Sequence, residues 1–539
     1  MNFFLYLSYY FFLLSSIIGY GYFFTNFFLK KNDSNLGYIG LYGIFLLILI
    51  SYVSNFFIAH GLNFNFLILL FGLGSFLLFI FNNYKNEKKN IAFLFFLFFL
   101  LIPFILAAKN HDDFPYYHFS YIHLLTKSHA SLGIGIFNHG FRTPSSIFYF
   151  ASLFYLPKIG YQLIHVAPVF FVGFVNFIFL KKISKIISQK ENVYILLLSI
   201  LSLVIINIFF ARLAEHGTDR SAQILILLMV TEVLQIINSK GRNQILKIDR
   251  FLILVALAVS LKAFYLIYLF FILIIFYYQK IKMSFLSDLL KNKISYLCLL
   301  LLFLLLMVNV FNTGCLIYPL SITCIPSLAW SIPIEEVNHM NQWYQQWSKG
   351  GAAPNFRVEN PEQYIKYFNW VPNWINIYFF NKVFDYLLGL LFLIAVMTLT
   401  FKRNVKNIAI KRNFVSVYFL LFFLFLEWFY YHPSLRYGGY HLIALLIFIP
   451  YSAYLENKFV LSNSSIFKIK IFIMVIFTIF LIRNIARINQ QHKQYNYNFL
   501  SYPSYNLEYQ NFDIYKGIEK IKKKGLGINN FYGFNIYTR

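Results

Sequence analysis

Uncharged apolar stretches long enough to cross a bilayer recur from one end of the 539-residue chain to the other. The stretch from Ile91 to Ala108 is an example, because a helix rises about 1.5 Å per residue and this length spans most of the hydrocarbon core. Hydrophobic residues make up 59% of the chain and charged residues only 12%, a balance that no soluble domain needs. The sequence therefore predicts an all-α, polytopic helical membrane protein with about 13–14 membrane segments.

One apolar stretch, 251–279, has two interpretations. As a single span it would place the later loop around Cys315 on the same side of the membrane as the lysine-rich loops. As two short helices that turn near Lys262, it keeps every lysine-rich loop on one side, and we favour this interpretation. The candidate spans are roughly 3–29, 37–58, 65–81, 91–108, 161–180, 193–210, 222–238, 251–261, 263–279, 294–312, 383–400, 413–431, 440–455 and 469–487.

The formal net charge of +26 follows the topology of a membrane protein. Basic residues lie in alternate loops, as the positive-inside rule requires, so these loops are predicted to be cytoplasmic. No basic soluble domain is present, which argues against a nucleic-acid partner. The basic clusters are 30–31, 85–89, 181–190, 240–250, 280–293, 402–412 and 458–470.

Four polar segments fall on the opposite, predicted outer side: 109–160, 212–220, 313–382 and 432–440. The aromatic part of the first, 145–154, is too short to span and is expected to form a juxtamembrane helix lying in the interface. The N-terminus lacks the features of a cleaved signal peptide and is expected to be a retained membrane helix. The tail 488–539 is predicted to be external.

Asp112 and Asp113 follow the apolar stretch that ends at Ala108. Carboxylates at the mouth of a membrane helix are costly to desolvate, so they point to a site at the water–membrane interface. One of them could act as a general base, or both could hold a divalent cation. His111 and His118 lie close enough in sequence to orient a carboxylate or to serve as an acid. The structural alternative is that Asp112 caps the following helix.

Three other charged features lie on the same predicted side. Glu215 and Asp219, spaced to share a helix face, could be catalytic or could form a salt-bridged turn with neighbouring arginines. Lys262 interrupts an apolar stretch, where it could reach a phosphate or extend to the interface. Arg436 presents a donor fork that suits phosphate oxygens, although it could equally anchor a loop at the headgroups.

The long segment 313–382 carries two further expectations. Cys315 and Cys324 are expected to form a disulfide, because thiols outside the cytoplasmic membrane oxidise. The tryptophans of this segment are expected to rest on lipid headgroups, with stacking on a sugar ring as the alternative. These tryptophans are Trp343, Trp347, Trp370 and Trp374. Neither an ATP-binding phosphate loop nor a His-Glu-x-x-His zinc signature is present.

The sequence resembles the GT-C superfamily in four features. They are the acidic pair in the first outer loop, the acids of 212–220, the lysine at a turn between short helices and the long late outer loop. The GT-C enzymes are polytopic glycosyltransferases that use polyprenyl-phosphate-linked sugars, and relatives of the aminoarabinose and mannosyl transferase type often carry a lysine at such a turn. The stretches 313–319, which contains Tyr318, and 436–440 look like a bacterial subgroup of uncharacterised GT-C-like proteins.

The resemblance implies a GT-C-like core at 91–487 preceded by three additional helices in 1–90. One of Asp112 and Asp113 would activate an acceptor hydroxyl, with Glu215 and Asp219 also catalytic, while Lys262 and Arg436 would bind the donor phosphate. The reaction would transfer a sugar to a glycan, lipid or protein at the outer face of a bacterial cytoplasmic membrane, as in polysaccharide biosynthesis of the cell envelope. A divalent cation, Mg or Mn, on Asp112, Asp113 and Asp219 stays open.

Two other functions compete with sugar transfer. An O-antigen polymerase or ligase also has many spans and a long outer loop, but that class relies on arginine-rich outer loops, and here the loop has few. A transporter of lipid-linked glycans would place charges within its spans, and here only Lys262 and Glu427 are candidates. The acidic pair favours the glycosyltransferase.

Overall fold

Helices make up most of the described chain. A computed structural model describes residues 3–29, 33–108, 113–213, 216–238, 244–280, 291–352, 357–402, 412–504, 527–531 and 534–538. The α-helices are Phe3–Phe28, Leu36–Asn55, Leu62–Leu100, Ile102–Ile105, Phe119–Lys127, Ser146–Ser152, Ala167–Gln189, Val193–Val204, Ser221–Ile237, Gln244–Leu261, Phe271–Gln279, Lys293–Thr313, Ile334–Lys349, Pro361–Ile365, Val371–Trp374, Phe384–Phe401, Val415–Tyr431, Gly439–Glu456 and Asn463–Tyr495.

Shorter elements connect and extend these helices. Two strands, Gly527–Phe531 and Phe534–Thr538, pair as an antiparallel hairpin in the tail, and they are the exception to the predicted all-α fold. Short 3-10 and π-helical turns are Phe114–His118, Ile134–Ile136, His139–Phe141, Ile164–Val166, Ile205–Phe209, His216–Arg220, Ala263–Phe270, Ser321–Thr323, Ile375–Val383 and Leu435–Tyr437.

The helices have the length and composition of a multi-pass membrane protein. Within the described residues, nine helices are long and apolar enough to cross a membrane, and three shorter ones are also apolar. Leu36–Asn55 and Gly217–Ile237 are 89% and 94% buried and form the centre of the bundle. Asn463–Tyr495 is only 22% buried, so most of its apolar side chains face outward, as contact with lipid requires.

The long helix Leu62–Leu100 folds back on itself. The ring centroids of Phe76 and Phe95 lie 6.0 Å apart, whereas a straight helix would separate these positions by about 28 Å. The chain must therefore reverse between them, where the basic cluster 85–89 lies. The two arms correspond to the predicted spans 65–81 and 91–108.

The chain also reverses at Lys262, which confirms the preferred interpretation of 251–279. The backbone of Lys262 is extended (φ −151°, ψ 112°), so it ends the helix Gln244–Leu261. At the far end of the next segment, Gln279 donates a hydrogen bond of 2.6 Å to the carbonyl of Ile236. Ile236 lies at the end of the helix Ser221–Ile237, a few residues before the start of Gln244–Leu261. The far end of the segment after Lys262 therefore returns toward the start of Gln244–Leu261, so the two segments run in opposite directions with Lys262 at the turn between them.

The helix Ser146–Ser152 corrects a prediction. We expected this aromatic segment to lie in the membrane interface, but every residue in it is buried. Ser146 donates or accepts a hydrogen bond with Ser260, and Ser152 contacts His60 in the same way. The segment is amphipathic in composition, yet its serines find partners inside the bundle, so burial costs little.

A cluster of charges ties the first helices into the bundle at the end opposite the turn at Lys262. Asp33 accepts hydrogen bonds of 2.8 Å from Arg250, and Glu232 pairs with Lys182 and accepts from the hydroxyl of Tyr38. Asp33 and Tyr38 belong to the N-terminal part, whereas Arg250 and Glu232 belong to later helices. The predicted division at residue 90 stays a prediction, but these ion pairs and the burial of Leu36–Asn55 join both parts in one core.

Candidate active site

A large cavity opens at the end of the bundle that carries the segments 109–160, 313–382 and 432–440, which we call the loop end. Its volume is about 1050 Å³. Its walls come from all three segments and from the turn at Lys262. Residues far apart in the sequence therefore face one space that is large enough for a substrate.

Four of the predicted site residues form one chain of ion pairs beside this cavity. Arg436 Nε contacts Asp219 Oδ2 at 3.0 Å, and Arg436 Nη2 contacts Asp113 Oδ2 at 3.2 Å. Lys262 Nζ contacts the other oxygen of Asp219, Oδ1, at 2.9 Å. Positive and negative groups alternate from Asp113 to Lys262, and we call these four residues the charged cluster. Asp219 binds both cations and so fixes their positions.

Local backbone structure places three members of the charged cluster. Lys262 sits at the break between two helices, and Asp219 follows a kink at Gly217 just before the helix Ser221–Ile237. Arg436 lies in a short turn, where its carbonyl accepts a 2.8 Å hydrogen bond from Gln223. Gly438 then takes φ +108°, a conformation that favours glycine. These three charges are thus held at the ends or breaks of helices.

Aromatic and histidine side chains surround the two cations. The ring of Tyr437 lies 5.4 Å from Lys262 and 5.6 Å from Arg436, and the ring of Trp347 lies 5.5 Å from Arg436, all within cation–π range. Burial raises the pKa of Tyr437. Burial, with Lys349 and Lys262 nearby, lowers the pKa of His432 to about 4. His432 is therefore neutral at physiological pH and faces the cavity as an uncharged imidazole.

The other predicted site residues are placed differently. His111, Asp112 and Glu215 lie outside the described residues. His118 is buried and does not line the large cavity; it borders a separate space of about 50 Å³ and packs 4.9 Å from the ring of Phe148. The expected supporting role of His118 at the acidic pair stays a prediction.

The long loop gives one confirmed and one corrected prediction. Cys315 and Cys324 form the expected disulfide. Trp370 and Trp374 do not rest on lipid headgroups, because they are 0% and 4% exposed and lie in the protein core. Trp374 donates its indole N–H to the carbonyl of Pro433 at 2.8 Å, so its polar partner comes from the segment 432–440.

A buried arginine that the sequence did not single out supports the cavity wall. Arg142 is 2% exposed and donates to the hydroxyl of Tyr318 at 2.7 Å, to the carbonyl of Gly135 at 2.9 Å and to the carboxylate of Glu336. Charged residues are ordinary in polar loops, so neither Arg142 nor Glu336 carried a signal. Glu427, which faces the cavity from a membrane helix, did stand out as a charge within an apolar stretch.

The carboxylates of the charged cluster are engaged with cations. Among the described residues, no group of three or more His, Cys, Asp and Glu side chains could hold a metal ion. Asp113 and Asp219 are paired with Arg436 and Lys262. The described part of the predicted metal set does not fit Mg or Mn, and its third member, Asp112, lies outside the described residues.

The fold and the site together define a multi-pass helical membrane protein with a charged, aromatic-lined cavity at one end of its bundle. A family model for a domain of unknown function, DUF8201, matches residues 1–443, so the chain belongs to this family. The matched region includes all four residues of the charged cluster. No curated protein and no solved structure matches the chain.

Proposed function

We propose that the protein is a GT-C-like glycosyltransferase that moves a sugar from a polyprenyl-phosphate donor to an acceptor hydroxyl at the loop end. The observation that carries the proposal is the charged cluster, in which two carboxylates and two cations meet at a large cavity. The acceptor would belong to a glycan, lipid or protein of the cell envelope. By the positive-inside rule, the loop end would face the outside of a bacterial cytoplasmic membrane.

Lys262 and Arg436 supply what a phosphodiester leaving group needs. Asp219 holds both cations through its two oxygens, so they are positioned before the donor binds. Arginine offers a planar fork of donors to phosphate oxygens, and lysine offers a compact charge. Fixed charges directed at developing negative charge lower the barrier without reorganising during the reaction.

Asp113 is the better placed of the two described carboxylates to receive a proton. Its side chain is 29% exposed and faces the cavity, whereas that of Asp219 is 10% exposed and is held between two cations. The acceptor hydroxyl would give its proton to Asp113 as its oxygen attacks the anomeric carbon. The bond between that carbon and the phosphate oxygen would break, and its electron pair would remain on the phosphate, with inversion at the anomeric carbon.

An apolar cavity next to the charged one suits the lipid part of such a donor. It has a volume of about 430 Å³ and is lined only by apolar and aromatic side chains, from 371–387, 425–429 and 443–447. Trp428 belongs to the walls of both cavities. An isoprenoid chain could occupy the apolar cavity while its phosphate reaches Lys262 and Arg436.

Sugar transfer in membranes tests this proposal. Membranes supplied with polyprenyl-phosphate donor extracts should transfer sugar with the wild type and lose more than about 100-fold of the rate in Asp113→Asn and Lys262→Gln. Glu335→Gln and Lys382→Gln are matched controls, because both side chains are exposed and lie outside the cavity. If Asp113→Asn and Lys262→Gln both restore a normal surface glycan in cells, the charged cluster is structural and the proposal fails.

Transport of a lipid-linked glycan is the second candidate, and Glu427 favours it. This carboxylate lies in the helix Val415–Tyr431 and faces the cavity, as a charge in a transport pathway would. A transporter would move labelled glycan lipid across proteoliposome membranes without changing it chemically. Movement of intact lipid that depends on Glu427, with no new glycosidic bond, would replace the transferase proposal.

A further inference from the structure

One face of the helix Ile334–Lys349 forms a continuous wall of the large cavity, and we call this helix the wall helix. The residues that line the cavity recur at spacings of three and four, so they lie on one side of the helix. They are Glu336, His339, Met340, Trp343, Tyr344 and Trp347, and Asn341 lines the cavity beside them. This face is distinct from the charged cluster but borders the same space.

Both ends of this face are fixed by contacts. At one end, the ring of Trp347 lies 5.5 Å from the guanidinium of Arg436, so the face begins at the charged cluster. At the other end, Glu336 accepts a hydrogen bond from the buried Arg142. The helical rise separates Glu336 from Trp347 by about 16 Å. The face is therefore a strip that begins beside Arg436 and is longer than a single monosaccharide needs.

The side chains of the strip alternate aromatic surface with polar groups. Trp343 and Tyr344 are only partly buried and face the cavity, and Asn341, His139 and His339 supply donors and acceptors around them. A saccharide has the matching chemistry, because each ring presents apolar C–H faces and a rim of hydroxyl groups. A lipid chain would leave these polar groups unpaired at a cost, and the apolar cavity beside Trp428 already suits a lipid better.

We infer that this strip binds the acceptor of the transfer reaction and that the acceptor is a saccharide chain. The role of the saccharide as acceptor rests on the proposed function, whereas the saccharide site itself is inferred from the residues of the wall helix. The terminal sugar would lie beside Trp347 with a hydroxyl near Asp113. The following sugars would extend along Tyr344 and Trp343 toward Glu336.

Binding measurements on the full chain in lipid nanodiscs test the strip. The probe is the oligosaccharide fraction released by mild acid from the host's own surface glycans and labelled at its reducing end. Trp343→Leu should weaken binding about tenfold through loss of an aromatic face, and Trp343→Tyr should restore most of it. Trp330→Leu is the matched control, because Trp330 lies in the same loop, outside the cavity, and bonds to the carbonyl of Val310.

Periodate treatment of the probe adds a chemical control, because it opens sugar rings at vicinal diols and removes the faces that would stack. Equal binding of treated and untreated probe, or unchanged binding in Trp343→Leu, would overturn the inference. Sugar transfer into a protein fraction at a rate independent of Trp343 would also overturn it and would identify a protein acceptor.

Kinetics separate failure of this inference from failure of the proposed function. With the oligosaccharide as acceptor, Trp343→Leu should raise the acceptor KM about tenfold and leave the donor KM unchanged. Binding that depends on Trp343, without sugar transfer in any preparation, would support the strip and count against the transferase. Transfer that depends on Asp113, with an acceptor KM insensitive to Trp343, would do the reverse.

Discussion

Replacing each carboxylate of the charged cluster by its amide should separate catalysis from stability. Asp113 and Asp219 both contact Arg436, but Asp113 is the more exposed and Asp219 also holds Lys262. We expect Asp113→Asn to remove activity while the protein stays folded. We expect Asp219→Asn to destabilise the protein as well, because it leaves two cations without their shared carboxylate.

The exposure of the two side chains sets the expected magnitudes. The pair of Asp113 with Arg436 is about 30% exposed on both sides, so its loss should cost only about 0.2–1 kcal/mol of stability. Asp219 is 10% exposed, and breaking a buried pair costs about 3–5 kcal/mol. Loss of a general base should slow transfer by about 10²–10⁴-fold in Asp113→Asn.

Two measurements on the same preparations check this separation. Thermal denaturation in detergent should give Asp113→Asn a midpoint close to that of wild type and Asp219→Asn a clearly lower one, while transfer rates at a temperature where all variants are folded should fall for both. Glu335→Gln, an exposed carboxylate of the wall helix, should match wild type in both assays. If Asp113→Asn keeps more than a tenth of the rate, or loses as much stability as Asp219→Asn, the assignment of roles is wrong.

Three further perturbations follow from the site. Lys262→Gln and Arg436→Gln should each raise the donor KM, as measured by steady-state kinetics. The double variant should raise the donor KM by less than the product of the two single effects, because both cations would act on one phosphate. Arg142→Lys should lower thermal stability by about 3–5 kcal/mol, because lysine cannot satisfy three acceptors from one fork, and a midpoint unchanged from wild type would contradict this. His432 has a folded pKa of about 4 against an ordinary value near 6.5, so its contribution to stability is present above pH 6.5 and is lost as the pH falls toward 4. His432→Gln lacks this titration, so it should lose less stability than wild type between about pH 6.5 and about pH 4 in thermal denaturation. Equal losses in the two proteins would contradict the lowered pKa.

The residues of the charged cluster could be identified from the sequence because a charge is conspicuous among apolar residues. Lys262 interrupts a membrane segment, and Asp113 and Arg436 adjoin the ends of others, where an ionised group needs a reason to be present. Their pairing could not be predicted. Asp113 and Arg436 are separated by 323 positions, and only the packing of the helices brings them to 3.2 Å.

The site residues that lie in polar loops could not be identified from the sequence. Glu336 and Arg142 lie among other hydrophilic residues, so nothing in their composition separates a buried ion pair from two solvated charges. Trp343 and Trp370 have the same chemistry, yet one lines the cavity and the other is fully buried. Burial depends on which helix packs over the loop, and a single sequence does not contain that information in its local pattern.

The charge balance of the cluster predicts which donor the protein uses. Two carboxylates and two cations are formally neutral together, so the site can stand empty without exposing uncompensated charge beside an apolar bundle. A sugar linked through one phosphate adds one negative charge. During transfer the charge that Asp113 loses on taking the acceptor proton reappears on the leaving phosphate, so the net charge of the site does not change. A sugar linked through diphosphate would bring two negative charges to the same formally neutral cluster, one more than a single phosphate brings. We therefore expect transfer from polyprenyl-phosphate sugars to exceed transfer from the corresponding diphosphates by at least about tenfold at equal concentration, and comparable rates from both donors would show that other cations complete the site.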